Sequence, residues 1–166
     1  MRAYLSLGSN IGDRLANLQA AVNFLDLRAG KVMRISGVYE TAPLYVVDQA
    51  PFYNAVAEVE TDLPPIELLK TLKAIEAEIG RIPRRKHGPR EIDIDILCAT
   101  DENGEVRINE KSLTMPHPQM TERRFVLEPL REMDPNLVPK SGLSKEKLLA
   151  QHVELLADMK LSIHRD

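Results

Sequence analysis

Asp93 and Asp95 stand two residues apart in the stretch GPREIDIDIL, residues 88–97, with Ile92, Ile94 and Ile96 alternating between and around them. On a strand, side chains alternate faces, so the two carboxylates share one side and lie roughly 7 Å apart at about 3.4 Å per residue. Aspartate is a poor strand former, and two carboxylates on one face repel each other. A cation between them removes the conflict. Hard carboxylate oxygens suit Mg2+, which is commonly held by one or two carboxylates together with substrate phosphates. The same alternation also describes a one-sided sheet with a water-facing polar side, so the pattern alone leaves both readings open. Just upstream, Arg81, Arg84, Arg85, Lys86 and Arg90 place five cations within ten residues. In a chain of net charge −3 that is a local concentration of charge, either a solvated loop or an anion site.

These groups need elements to hold them. Residues 3–7 read as a strand, and a helix runs from about Asp13 to Gly30 on the spacing of Leu15, Leu18, Val22 and Leu25. A second strand is expected over 32–40, then a proline-bearing loop over 41–52, of a length usually kept for function. Tyr53 to Glu60 reads as a third strand. Asp62 and Pro64-Pro65 open a second helix, striped by Leu68, Leu69, Leu72, Ile75 and Ile79 and stopped by Gly80. The Asp strand follows, then a hairpin turn at Asn103-Gly104 leading into Val106-Arg107-Ile108. MPHPQMTERRF is a turn entering a short helix, with Thr121 as its cap, and KEKLLAQHVELLADM reads as a terminal amphipathic helix. Strand, helix, strand, strand, helix, strand is the split βαβ order of a ferredoxin-like α+β sandwich. Its sheet is mainly antiparallel, with helices on one face and an added hairpin. We expect one domain over 1–166, with the segment from about 144 peripheral.

Composition narrows the function. The chain has 166 residues, 43% of them hydrophobic, enough for one real core. It shows no apolar run of about 20 residues and no secretory leader, so a cytoplasmic protein with no membrane partner is expected. The single cysteine, Cys98, reads as a small core residue. Neither GxxxxGK[ST] nor GxGxxG occurs, so a nucleotide must be held by side-chain cations and metal. With 4% aromatic residues a base-stacking RNA surface is poorly supported, and no nucleic-acid partner is expected.

GSNIGDR after the first strand, YETAPL before the proline-bearing loop, FYNAV, IGR, GPREIDIDIL, and MPHPQM with RRF following resemble 6-hydroxymethyl-7,8-dihydropterin pyrophosphokinase of folate biosynthesis. The resemblance runs in register from Ala3 to about Asp134. It implies transfer of the pyrophosphoryl group of ATP to the pterin hydroxymethyl oxygen, giving the pterin diphosphate and AMP. It also implies two Mg2+ ions on Asp93 and Asp95, with Arg81 and Arg90 as catalytic, phosphate-contacting arginines. For ATP it implies Lys73, Glu76, Arg81, Arg90, Ile96, Thr114, His117 and Arg123; for the pterin, Thr41, Leu44, Phe52, Asn54 and Phe125. Arg84, Arg85, Lys86 and His87 fall in the family's lid. His87 stands where some members carry tryptophan, and Phe52 where tyrosine often occurs. The substrates are then the only partners, and a monomer is expected. The competing reading from the residues is a non-catalytic ferredoxin-like module for a nucleotide or RNA. The segment after about Lys140 lies outside the resemblance.

Overall fold

The computed structural model describes residues 1–43, 48–84, 86–138 and 145–163. Leu44 and Arg85 therefore lie outside the described residues. The main elements are strands β1 (Arg2–Ser9), β2 (Lys31–Ile35), β3 (Tyr39–Thr41), β4 (Phe52–Glu60) and β5 (Asp93–Asp101), with helices α1 (Arg14–Phe24) and α2 (Pro65–Ile79) between them. The short strands β6 (Gly104–Glu105), β7 (Ile108–Asn109) and β8 (Thr114–Met115) follow, then α3 (Arg124–Met133), α4 (Lys145–Leu149) and β9 (Val153–Leu155). The principal sheet has seven strands in the order β6-β5-β1-β4-β3-β9, with β2 also on β4. Its described ladders are all antiparallel. The order β5-β1-β4-β2/β3 is the split βαβ arrangement expected from the pattern.

The helix signals work as the sequence suggests. Asp13 caps α1 by accepting from the Ala16 N–H at 3.0 Å, and Gly80 ends α2 at a φ of 114° that other residues rarely adopt. Leu18 and Val22 of α1 and Leu68, Leu72 and Ile75 of α2 bury against Leu5, Leu7, Ile92, Ile94 and Ile96. The isoleucines of the Asp strand thus face the main core, which sends Asp93 and Asp95 to the opposite face.

Several local expectations are corrected. The opposite face is not bare: α3 covers it, burying Val126, Leu130 and Met133 against Tyr4, Val56, Leu97 and Cys98. A bulge makes this possible, since Tyr4 pairs with Cys98 and Leu5 with Ile96, leaving Leu97 as the extra residue. Cys98 is buried there as expected, and burial pushes its thiol up to about 12. The strand expected over 32–40 is two strands. Between them, Ser36 donates its N–H to the Val56 carbonyl at 2.9 Å and accepts the Val56 N–H on its hydroxyl at 2.8 Å, so a side chain interrupts the ladder. The hairpin turn is closed by Asp101 pairing with Gly104, and Ile108 pairs with Met115 of β8 rather than extending β6.

Thr121 lies inside a 3-10 turn, Met120–Glu122, and does not cap α3. The cap comes from far along the chain, where Gln151 Oε1 accepts the Arg124 N–H at 2.9 Å. The terminal helix is also shorter than its periodicity suggests. It stops at Leu149, and Val153–Leu155 becomes β9, pairing with the otherwise open edge of β3. Beyond it Leu156, Met159, Leu161 and Ile163 pack on the main core.

Candidate active site

Where α3 begins, it leaves one end of the sheet uncovered. The strands bring their polar residues there in rows: Ser6 is opposite Asp95, and Gly8 lies between Asp93 on one side and Asn54 on the other. Thr41, Phe52 and Asn54 from β3 and β4, Asp93 and Asp95 from β5, and Phe125 with Arg123 from the α3 entrance line one cavity, and His87 and Arg90 close its rim. A second opening, lined by Arg81, Arg84, Lys86 and Arg90, shares Arg90 with it.

One wall is neutral and built on strands. Asn54 is buried and donates from Nδ2 to Thr41 Oγ1 at 2.7 Å, which fixes the amide orientation. Gly8 is required for this, since a Cβ there would lie 2.8 Å from Asn54 Oδ1. The Arg123 guanidinium carbon sits 5.7 Å from the Phe125 ring centroid, holding that aromatic at the mouth.

The other wall is ionic. Asp93 accepts from Arg81 at 3.1 Å and from Arg90 at 2.7 Å. Beneath it Glu76, fully buried, accepts the Ile94 N–H at 2.7 Å and pairs with Arg81 at 2.9 Å. Burial raises the Glu76 carboxyl, and the Ile94 hydrogen bond opposes that shift. Burial also pushes the Asp95 carboxyl up to about 7, with the charge of Asp93 and a hydrogen bond between the two carboxyl groups acting in the same direction. Two carboxyl groups on one face of a strand repel each other, and a divalent cation relieves such a site. Among the described residues no cluster of three or more His, Cys, Asp or Glu could hold a metal. A cation on Asp93 and Asp95 would therefore complete its shell with phosphate and water oxygens, the arrangement Mg2+ favours.

The remaining expected residues sit around this centre. His117 donates its N–H to the Leu97 carbonyl at 2.7 Å and accepts on Nδ1 from the Gln119 N–H at 3.1 Å. The neutral ring therefore carries its proton on Nε2. Burial, with Arg123 adding, keeps the His117 imidazole below its ordinary value. Gln119 also accepts from Arg123 through its side chain. Lys73 is mostly exposed and 3.4 Å from Glu76. The Ile96 side chain is buried in the main core, so only its main chain can reach a nucleotide. Thr114 is exposed on β8. In the loop before β5, Arg84 makes a two-pronged ion pair with Glu91, both contacts at 2.6 Å.

Sequence reading missed Asn10. It is buried, donates from Nδ2 to Gln49 at 2.8 Å and to the Ala50 carbonyl at 3.0 Å, and accepts the Arg90 N–H on Oδ1 at 2.7 Å. Gln49 in turn donates to the His87 carbonyl at 2.7 Å. One amide thus ties three loops together. The GSN triplet carried the signal, but a contact partner 80 residues away is not legible from spacing.

The model of the 7,8-dihydro-6-hydroxymethylpterin-pyrophosphokinase family matches residues 4–135. The chain belongs to this family. A pyrophosphokinase of Bacillus subtilis, named for 2-amino-4-hydroxy-6-hydroxymethyldihydropteridine, is 46% identical over 132 residues, 79% of this chain and 77% of that protein. The protein of the same name from Methylorubrum extorquens is 44% identical over 138 residues, 82% of this chain and 85% of its own length. The folic acid synthesis protein fol1 of Pneumocystis carinii is 42% identical over 156 residues, 93% of this chain, of which the chain spans only 20%. Among solved structures, an HPPK-DHPS in complex with substrates superposes with a TM-score of 0.60 at 16% identity, covering 80% of this chain and 40% of that one. A Plasmodium falciparum HPPK-DHPS with SDX-DHP gives 0.58 at 19% identity, covering 81% and 40%. The structural matches support the α+β fold. Pyrophosphoryl transfer in folate biosynthesis is the activity of the pterin pyrophosphokinase family, and the reading as a non-catalytic nucleotide or RNA module is not favoured.

Proposed function

We propose that residues 1–166 form a single catalytic domain that passes the β,γ-pyrophosphoryl group of ATP to 6-hydroxymethyl-7,8-dihydropterin, releasing AMP. The observation that carries this reading is the junction of two unlike walls in one cavity, with Asp93 and Asp95 at the seam. The neutral wall takes the pterin, its flat bicycle meeting Phe52 and Phe125 and its amide edge meeting Asn54 and Thr41. The ionic wall takes the polyphosphate. Asp93 and Asp95 would hold two Mg2+ ions, which would supply charge neutralisation for the transferring group. Arg81 and Arg90, bound to Asp93 in this structure, would be available to phosphate oxygens with the carboxylates engaged elsewhere. His117 and Arg123 contact the nucleotide phosphates, and Lys73, Glu76, Ile96 and Thr114 surround the nucleoside. Arg84, Lys86 and His87 order over ATP as a lid.

The hydroxymethyl oxygen forms a bond to the β-phosphorus. The bond from that phosphorus to the α,β-bridging oxygen breaks, AMP leaves with the electron pair, and the hydroxyl proton is released. Positioning and electrostatics carry the step. The net charge of −3 and few aromatic residues favour small-molecule partners over nucleic acid. No described helix is long and apolar enough to cross a membrane, and we place the protein in the cytoplasm as a monomer. Nucleotide products separated by chromatography test the reaction. AMP is expected only when ATP, Mg2+ and the dihydropterin are all present; ADP, or no nucleotide turnover, contradicts it.

A further inference from the structure

Arg14 closes the GSNIGDR motif and has no part in the chemistry above. It is the first residue of α1, held in place by the Asp13 cap. Its guanidinium makes contacts of three kinds. It donates to the Pro51 carbonyl at 2.9 Å, pairs with Glu40 at 3.5 Å, and lies over the Tyr53 ring with its central carbon 3.7 Å from the centroid. Tyr53 is buried in the main core, so Arg14 lies against the face of the sheet opposite the cavity.

The three partners share one relation to the cavity. Glu40 immediately precedes Thr41, Pro51 precedes Phe52, and Tyr53 precedes Asn54, while Thr41, Phe52 and Asn54 are the cavity residues of β3 and β4. These residues also pair across the two strands, Glu40 with Tyr53 and Thr41 with Phe52. Because successive side chains point to opposite faces, a group gripping the rear residues sets the position of the front ones. The need is local. β3 ends and β4 begins here, at either side of the long proline-bearing loop, and strand ends are where ladders open. Only a planar, always-charged fork can donate to a carbonyl, pair with a carboxylate and stack on a ring at once.

We propose that Arg14 is the positioning residue of the pterin subsite, clamping the rear of the β3–β4 end so that Thr41, Phe52 and Asn54 present one fixed surface. The inference rests on the pterin reading of this cavity.

Steady-state kinetics with ATP, Mg2+ and 6-hydroxymethyl-7,8-dihydropterin test it, alongside thermal melts. Arg14→Ala is expected to raise the KM for the pterin about tenfold while the KM for ATP and kcat change by less than about twofold, since small misplacements of binding groups have effects of this order. Arg14→Lys is expected to recover part of that loss. Glu40→Gln, which removes only the ion pair, is expected to give a smaller shift in the same direction, and it decides the matter if Arg14→Ala does not fold. An unchanged pterin KM in folded Arg14→Ala, or equal rises for both substrates, overturns the proposal. Asn54→Ala run in parallel separates the two readings. If it raises the pterin KM and Arg14→Ala does not, only the clamp is wrong. If Asn54→Ala leaves the pterin KM unchanged, the cavity is not the pterin subsite, and the clamp falls with it.

Discussion

The two walls of the cavity are made by opposite means. On the proposed pterin side Thr41 and Asn54 come from strands in the sheet, buried and joined by a neutral hydrogen bond of 2.7 Å. Their geometry is set by the hydrogen bond they make to each other. On the proposed phosphate side Arg90, and Arg81 and Arg84 of the adjoining opening that shares it, come from a loop, and each is occupied by a carboxylate of the protein: Arg81 by Glu76 and Asp93, Arg90 by Asp93, Arg84 by Glu91. That wall has to exchange partners before it can work. On the proposed function a neutral ligand would be met by a surface already in shape, whereas a polyanion with its cations would be met by charges stored against one another. Charges paired in this way neither repel one another nor need importing.

The comparison fails if the walls prove interchangeable. The largest expected effect is at the seam. Asp93→Ala or Asp95→Ala should lower turnover by about a thousandfold or more, the scale of losing metal or oxyanion stabilisation. Melting of the metal-free proteins should show the fold intact, with Asp95→Ala at least as stable as the parent, because the charge of Asp93 acts against that of Asp95. Near-normal turnover in both variants would sink the metal assignment. Next comes the strand wall, where Phe52→Ala or Asn54→Ala should raise the pterin KM by roughly ten- to a hundredfold, the range expected for losing an aromatic contact or leaving buried polar groups unpaired. The ATP KM should stay nearly constant. Gly8→Ala should act in the same direction more weakly, by pressing on Asn54 Oδ1.

The smallest effect is in the proposed lid. The Arg84 guanidinium beside it holds the Glu91 carboxyl down at about 2. A depressed carboxyl contributes stability above its ordinary range and loses it as pH falls toward that value. Glu91→Gln should therefore melt slightly below the parent at pH 7, with the gap closing toward pH 2, and should shift the ATP KM rather than the pterin KM. A gap that widens in acid would show that Glu91 is not paired with Arg84 in solution.

Legibility in the sequence follows the same division. Alternation in GPREIDIDIL placed the isoleucines in the core and the aspartates on the far face because the strand period is local information. The helix stops and the split βαβ order were readable for the same reason. The bulge at Leu97, which lets α3 bury the second face, depends on how β5 registers against β1. The C-terminal segment carries a helical period, yet Val153–Leu155 pairs with the open edge of β3, a tertiary demand that outweighs propensity. Asn10 and Gln151 act through partners far along the chain. Motifs could name the GSN triplet but not the loops it ties.

The most direct test is to measure kcat and both KM values for Asp95→Asn and Asn54→Ala side by side. We expect Asp95→Asn to lose kcat with little change in the pterin KM, and Asn54→Ala to raise the pterin KM with the ATP KM unchanged. Movement of the same constant by both variants would contradict a site divided into a ready pterin wall and an exchangeable phosphate wall.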